Sequence, residues 1–215
     1  SVATSGSGAA LIMTPDLAHA IVRAARQGLE DWAGGQSIHS QGFKPSRIEF
    51  IHTLNHSRSG VPVVPRRLLP LSIKTRLGFD CVVVERWVEH LLEARPAAIT
   101  LHGRTLQQMY RGAADWSAIA EAAKLARGTG TLMLGNGDLN TLVDAIRRAA
   151  ESKVQGVLVG RGTLGSPWFF REKEQARRAF SERDDLPTLP AAAWEPQVSV
   201  SHRMQVMLDH ARQYE

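Results

Sequence analysis

The sequence predicts an α/β fold made of strand-helix units in series, the architecture of a TIM (β/α)8 barrel of which about the last four βα units are present. Three observations predict it. Short apolar segments are each followed by an amphipathic helical segment, with a spacing of about 25 to 35 residues, which favours parallel strands joined by right-handed helical crossovers. Charged and amide side chains stand at the ends of several of these strands, as at the carboxyl-terminal face of a barrel. An open doubly wound sheet would instead gather its ligand groups at one switch point and carry a glycine fingerprint in its first turn.

The elements follow in order. Thr14-Pro15-Asp16 is a helix-start signal, with Thr14 as cap, Pro15 at the first helical position and Asp16 at the positive end of the dipole. Leu17, Ile21, Val22 and Ala25 recur at helical spacing, so this helix runs to about Trp32. From Ala33 to Pro70 the chain is rich in Gly and Pro around one short helical stretch, "PSRIEFIHTLNH", and reads as a surface insertion. The first unit is "LSIKTRLG" followed by "CVVVERWVEHLLEA", with Val83, Trp87, Val88, Leu91 and Leu92 on one face. "AAITLHG" with "ADWSAIAEAAKLA" is the second, and Asp115 lies near its helix start. "TLMLGNGD" with "LNTLVDAIRRAAE" is the third, and "GVLVGRG" with "SPWFFREKEQARRAF" the fourth. After Phe180 a proline-rich linker leads to "VSHRMQVMLDHARQYE", the beginning of an all-α domain, so the chain divides at about residue 180 into 1–180 and 181–215. The first and last of these strands, at Leu71 and Gly156, would expose hydrogen-bonding edges that barrel closure removes.

With 215 residues, 43% of them hydrophobic, the chain can build one well-packed domain or one domain with an appendage. It holds no apolar run of membrane-spanning length and no signal peptide. Cys81 is the only cysteine, which excludes an intramolecular disulfide and suits a reducing cytoplasm. A net charge of +5 and a pI near 9.9 fit an anionic partner such as RNA, and equally fit a chain charged for solubility.

Several strand ends carry chemistry. Lys74 lies in an apolar strand where a charge is costly without a partner, and alternation puts Arg76 on the same side. Two cations there suit an electron-rich ring, a phosphate or a nucleic-acid backbone; the alternative is a pair reaching solvent. His102 at the next strand end can donate to a cofactor oxygen or move protons, or it can tie down its own loop. Gly160-Arg161-Gly162 offers close backbone approach, a forked donor and, if a short helix follows at Thr163, the positive end of a dipole. The other reading is an ordinary tight turn with a solvated arginine. His52 and His56 have i,i+4 spacing but no metalloprotease glutamate or third ligand, so no metal is expected. Arg171, Lys173, Arg177 and Arg178, with Arg66 and Arg67, can meet phosphates or simply form solvated faces.

The segments "SGSGAALIMTPDL", "LSIKTRLGFD", "ITLHGRTLQQMYRGAADW", "LGNGD" and "GVLVGRGTLGSPWFF" stand in an order that resembles the tRNA-dihydrouridine synthases over about residues 5 to 175 apart from the insertion. The resemblance implies an FMN-binding barrel, a C-terminal helical domain that helps hold tRNA, reduction of uridine to 5,6-dihydrouridine, and NADPH as reductant. It implies that Lys74 and His102 contact the flavin, and that Asn136, Gly137, Asp138, Gly160 and Arg161 hold its phosphate and ribityl side. Arg76 and Arg104 fall in the vicinity of cofactor or substrate. The family's proton-donating cysteine stands in a "GCP" motif just before the "GAAL" segment, and so is expected before Ser1. Cys81 falls outside the matching motifs and reads as a buried structural cysteine rather than its replacement, although a helix N-terminus can lower a thiol pKa. A fragment of this kind is expected to have little synthase activity alone. Two other readings remain at this point: a non-catalytic RNA-binding remnant, and an FMN-dependent barrel oxidoreductase acting on a small molecule.

Overall fold

Parallel pairing organises the protein. In a computed structural model, which describes residues 6–57, 65–171, 173, 174, 178 and 197–213, four strands form one sheet in sequence order: β1 (Ser72–Arg76), β2 (Ala98–His102), β3 (Leu132–Asn136) and β4 (Gly156–Leu158). All three pairings are parallel. Between successive strands run α3 (Val84–Glu93), α4 (Trp116–Ala126) and α5 (Leu142–Ser152). These follow α1 (Pro15–Ala33) and α2 (Pro45–Ser57), and α6 (Val200–Arg212) comes last. β1 and β4 form the two edges of the sheet among the described residues.

The two sheet faces differ. Ile99, Leu101 and Met133 point to the helices and are fully buried, with Val88 of α3 and Ile119 and Ala122 of α4 in the same cluster. Each large side chain so buried contributes about 1.5–3 kcal/mol. Gly135 shares this face because α4 lies too close for a side chain, and a Cβ there would stand 2.5 Å from the Trp116 ring. The opposite face carries Lys74, Arg76, Thr100, His102, Leu134, Asn136 and Leu158 by alternation. Parallel sheets are ordinarily covered on both faces. Here Leu132 on that second face is 52% exposed, and Lys74 is exposed as well.

Helix starts are set locally. Asp115 caps α4 by accepting from the Ala118 N–H at 2.9 Å, and Thr141 caps α5 through Asp144 at 3.0 Å. Thr14, expected as a side-chain cap, makes no such bond; its carbonyl accepts from Leu17 and Ala18 instead. The buried stripe of α1 also differs from expectation. Ala18 and Val22 are buried, whereas Leu17 and Ile21 are about half exposed, because the stripe is set by the side on which α1 meets α3. The stretch 45–56 does form a helix, α2, and it buries no residue. The helix expected over "SPWFFREKEQARRAF" opens as turns through Arg171, and Arg177 and the linker 181–196 lie outside the described residues. Among the described residues no helix is long and apolar enough to cross a membrane.

Candidate functional site

Register brings the site together. Arg76, His102, Asn136 and Leu158 stand opposite one another across β1 to β4, forming one row at the carboxyl ends of the strands. Lys74 lies one layer below, level with Thr100 and Leu134. Above this row is a cleft of about 240 Å³, lined by Lys74, Arg76, His102, Asn136, Gly137, Asp138, Gly160 and Arg161, with Tyr110 and Asn140 on its rim. Residues that the sequence spreads over almost ninety positions thus meet in one place.

Backbone bonds fix the loops beneath. The Gly103 N–H donates to the Asn136 carbonyl at 3.0 Å, and the Asp115 N–H returns to the Gly103 carbonyl at 2.7 Å. The Asn136 amide donates to the Leu158 carbonyl at 2.8 Å, linking the ends of β3 and β4. Gly137 has φ of 133°, and a Cβ on it would lie 2.6 Å from that of Ala114 and 3.2 Å from His102 Cδ2. Only glycine fits that backbone and that space. Trp116 Nε1 donates to the Gly137 carbonyl at 3.1 Å.

Asp138 is the centre of the polar network. One carboxylate oxygen accepts from Arg104 at 2.6 Å and from the Ala114 N–H at 2.7 Å; the other lies 3.5 Å from Arg161. Burial opposes its ionisation, but the Arg104 and Ala114 hydrogen bonds and the Arg104 and Arg161 charges outweigh it and hold the carboxyl below its ordinary range. Arg104, placed by the sequence near cofactor or substrate, does not line the cleft. It is 3% exposed and donates to Asp138 and to the Gly112 carbonyl, so it supports the site from below.

The cleft is cationic. Desolvation and the neighbouring Arg76 charge press Lys74 below the usual lysine value. Arg76 donates to the Thr105 carbonyl at 3.0 Å. His102 is driven down to about 4, by burial first and then by Arg76, Lys74 and Arg104, against the opposing pull of Asp138. At neutral pH it is therefore an uncharged imidazole, able to donate one hydrogen bond but not a stored proton. Arg161 is 61% exposed on its side chain and stacks 4.8 Å over the Tyr110 ring. The turn after it is shorter than a helix that could bind an anion by its dipole. It is a three-residue 3-10 segment, Arg161–Thr163, in which the Thr163 N–H already bonds the Gly160 carbonyl.

Tyr110 was missed from the sequence, although an aromatic in the loop between His102 and Asp115 was there to be noticed. Cys81 is corrected: it is exposed rather than buried, lies three residues before α3 and is not part of the cleft. The hydrogen bond and charge of Asp80 raise its thiol, the reverse of activation. His52 and His56 are exposed on α2, and His39 stacks against His52.

Comparison with known proteins bears on this site. The profile of the family described as Dihydrouridine synthase (Dus) matches residues 56–214, well over half of the chain. The match continues past residue 175 and does not reach the "SGSGAALIMTPDL" segment. A probable tRNA-dihydrouridine synthase of Aquifex aeolicus is 40% identical over 109 residues, which cover 51% of this chain and 34% of that protein. Another from Mycobacterium leprae is 38% identical over 115 residues, covering 50% and 28%. A protein of Neurospora crassa named tRNA-dihydrouridine(47) synthase, NAD(P)(+), is 34% identical over 140 residues, covering 48% and 19%. The chain spans about a third, or less, of the length of the curated relatives it matches. With four parallel strands alternating with helices and a profile match over most of its length, the chain belongs to the dihydrouridine synthase family.

Proposed function

We propose that the chain forms the last four units of an FMN-binding (β/α)8 barrel in a tRNA-dihydrouridine synthase, an NADPH-dependent flavoprotein that reduces uridine to 5,6-dihydrouridine in tRNA. On this reading residues 1–180 belong to the barrel, and a helical tRNA-binding domain begins after 181 and includes α6. The observation that carries the proposal is the row of donors at the carboxyl ends of adjacent parallel strands, where barrel enzymes keep their active groups.

The residues fit a phosphorylated, ring-bearing cofactor. Lys74, Arg76 and Arg161 supply positive charge and forked donors, and the neutral His102 supplies one hydrogen bond. A Cβ added at Gly160 would meet nothing within 4 Å, so the backbone there is open to close approach. Asn136, Gly137 and Asp138 shape the wall between these donors. Reduced FMN would supply the hydride that saturates the uracil ring. The accompanying proton is assigned to none of the cleft residues, since His102 stores no proton at neutral pH and Cys81 stands elsewhere. A uridine of folded tRNA has to leave its stack to reach such a cleft, and phosphate contacts make the binding weaken with salt.

Fluorescence titration with FMN tests the cofactor site: saturable binding weakened by Lys74→Ala and Arg161→Ala is expected, and absence of flavin binding would overturn the proposal. A flavin-loaded preparation of the completed barrel, with the first four units supplied, is then reduced by NADPH to test the substrate, since these residues alone are expected to have little synthase activity. Reoxidation on addition of tRNA with formation of dihydrouridine is expected. Reoxidation by a small acceptor with indifference to tRNA would remove the tRNA assignment.

A further inference from the structure

The stretch 33–70 carries a feature that the cleft does not use. It holds five cations, Lys44, Arg47, Arg58, Arg66 and Arg67, against the single carboxylate Glu49, so four of the chain's five net positive charges fall in this one stretch. Charge crowded in this way is the footprint of an anionic partner. Residues 33–55 lie before residue 56, where the family match begins, and none of them lines the cleft.

Aromatic rings are interleaved with these cations. Gly42, in the left-handed region at φ 68°, turns the chain between the short 3-10 segment Ile38–Gln41 and α2, and beside the turn lies an open groove of about 400 Å³ lined by Phe43, Lys44, Ser46, Arg47 and Phe50. That is within the size range of ligand sites. Phe43 and Phe50 are both about half exposed, although a large aromatic gains by burial, and α2 buries none of its residues. Among the described residues neither Lys44 nor Arg47 pairs with a carboxylate. Exposed rings beside free cations are what a stacking platform needs, since every base has a π-face and every nucleotide a phosphate. We propose that Phe43, Lys44, Arg47 and Phe50 form a binding surface for single-stranded RNA, with unpaired bases stacking on the two rings and the two cations meeting backbone phosphates.

The arrangement favours RNA over an anionic bilayer. Arg47 shares its helical face with Phe50, Ile51 and Leu54, at i+3, i+4 and i+7, so a cation stands in the middle of the apolar arc of α2. A helix that lies in a membrane interface keeps its cations on the opposite face. A nucleotide chain alternates base and phosphate, and so matches a surface on which rings and cations alternate. The choice of RNA rests on the dihydrouridine synthase reading, in which tRNA is the substrate, whereas the surface itself stands apart from the flavin site. On that reading it is a second foothold for tRNA, taken up by an unpaired loop.

Fluorescence anisotropy of the flavin-free 215-residue chain with a labelled oligouridylate of about ten nucleotides, within the site size of single-strand binders, is expected to show saturable binding that weakens with salt. A duplex RNA of the same length is expected to bind at least about fivefold more weakly, because its bases are already stacked on one another. Phe43→Ala/Phe50→Ala is expected to lower the affinity by about tenfold or more, and Phe43→Tyr/Phe50→Tyr to keep most of it. Lys44→Ala/Arg47→Ala is expected to flatten the slope of log affinity against log salt by about 1.4, the share of two phosphate contacts on a single strand. Lys124→Ala/Arg147→Ala removes the same charge from α4 and α5 and is expected to bind like the unsubstituted chain. Phe43, Lys44, Arg47 and Phe50 are exposed, so the fold is expected to survive their substitution, as circular dichroism checks. Absence of RNA binding, indifference to the loss of both rings, equal binding of the duplex, or an equal loss in the α4 and α5 variant would overturn the surface. Ring-dependent binding of phosphatidylserine vesicles in place of RNA would overturn it too. FMN titration of the same variants is expected to be unchanged, so the cofactor reading stands or fails separately on flavin affinity.

Discussion

The strand ends of β3 and β4 look alike in sequence, "LGNGD" and "LVGRG", yet the charged residue of one is locked and that of the other is exposed. At the first, Gly137 is wedged against Ala114 and His102, and Asp138 is held by Arg104 and the Ala114 N–H. At the second, Gly162 is closed in, with a Cβ built on it 2.3 Å from the Leu139 carbonyl oxygen, but Gly160 has free space around its α-carbon and the Arg161 side chain is mostly exposed. A glycine-flanked polar residue thus serves two purposes. In one it organises neighbouring loops, and in the other it presents a solvent-exposed donor to the cleft. Stability and ligand affinity should therefore separate between the two ends.

The largest stability effect is expected at Asp138. Asp138→Ala leaves the Arg104 guanidinium buried without its carboxylate, which costs about 3 kcal/mol, the lower end for breaking a buried pair because Asp138 itself is one-third exposed. Urea unfolding at neutral pH measures this, and a loss below about 1 kcal/mol would show that Arg104 is supported mainly by the Gly112 carbonyl. Gly137→Ala comes next, at about 2 kcal/mol, because it combines a positive φ with a 2.6 Å approach to Ala114. The same change at Gly160, where nothing lies within 4 Å, should cost less than at Gly137. Similar losses at both glycines would erase the distinction between the two ends.

A third effect depends on pH. His102 takes up its proton near 4 when folded but at an ordinary histidine value of about 6.5 when unfolded. Between those values the unfolded state binds more protons, so stability falls as pH is lowered through that window. After allowance for partial solvent screening the loss is about 1–2 kcal/mol. Asp138 acts in the same direction at lower pH: its folded pKa is depressed, so its contribution is present above the unfolded value and lost as pH falls through the folded one. His102→Gln should flatten the upper part of the curve and leave the lower part, as followed by urea midpoints across the acid range.

Much of this fold is legible because it is written in short-range patterns. All four strands and the three helices between them follow from apolar runs and 3.6-residue periodicity, and Asp115 as a cap follows from its place before Trp116. The burial of Arg104 does not, since an arginine after His102-Gly103 reads as a solvated turn residue until Asp138, 34 residues later, is brought beside it. The stripe of α1 fails for a related reason. Leu17 and Ile21 or Ala18 and Val22 can equally define an amphipathic face, and only the position of the neighbouring helix decides between them. The general tendency of cysteine predicts a buried Cys81, but it sits in the loop just before α3 and faces solvent. Site residues at strand ends are visible in sequence, whereas the groups that brace them come from long-range contacts.

The smallest stability effect, and the sharpest test of the open end, is Arg161→Ala. Its contact with Asp138 is 3.5 Å long and the guanidinium is largely solvated, so removing it should change unfolding by under about 0.5 kcal/mol. Its stacking on Tyr110 is likewise an exposed contact and adds little to the fold. If this arm serves the cleft, the same substitution should weaken FMN binding about tenfold, the loss of one charge-assisted contact, and reduce the salt dependence of that binding. Arg161→Lys should recover part of the affinity, because it restores the charge without the planar fork. Unfolding curves and flavin titrations on the same three proteins separate the two roles. A stable but weakly binding Arg161→Ala would mark the end of β4 as the ligand arm, whereas unchanged affinity would leave Lys74 and Arg76 as the anchoring cations and reduce Arg161 to a surface residue.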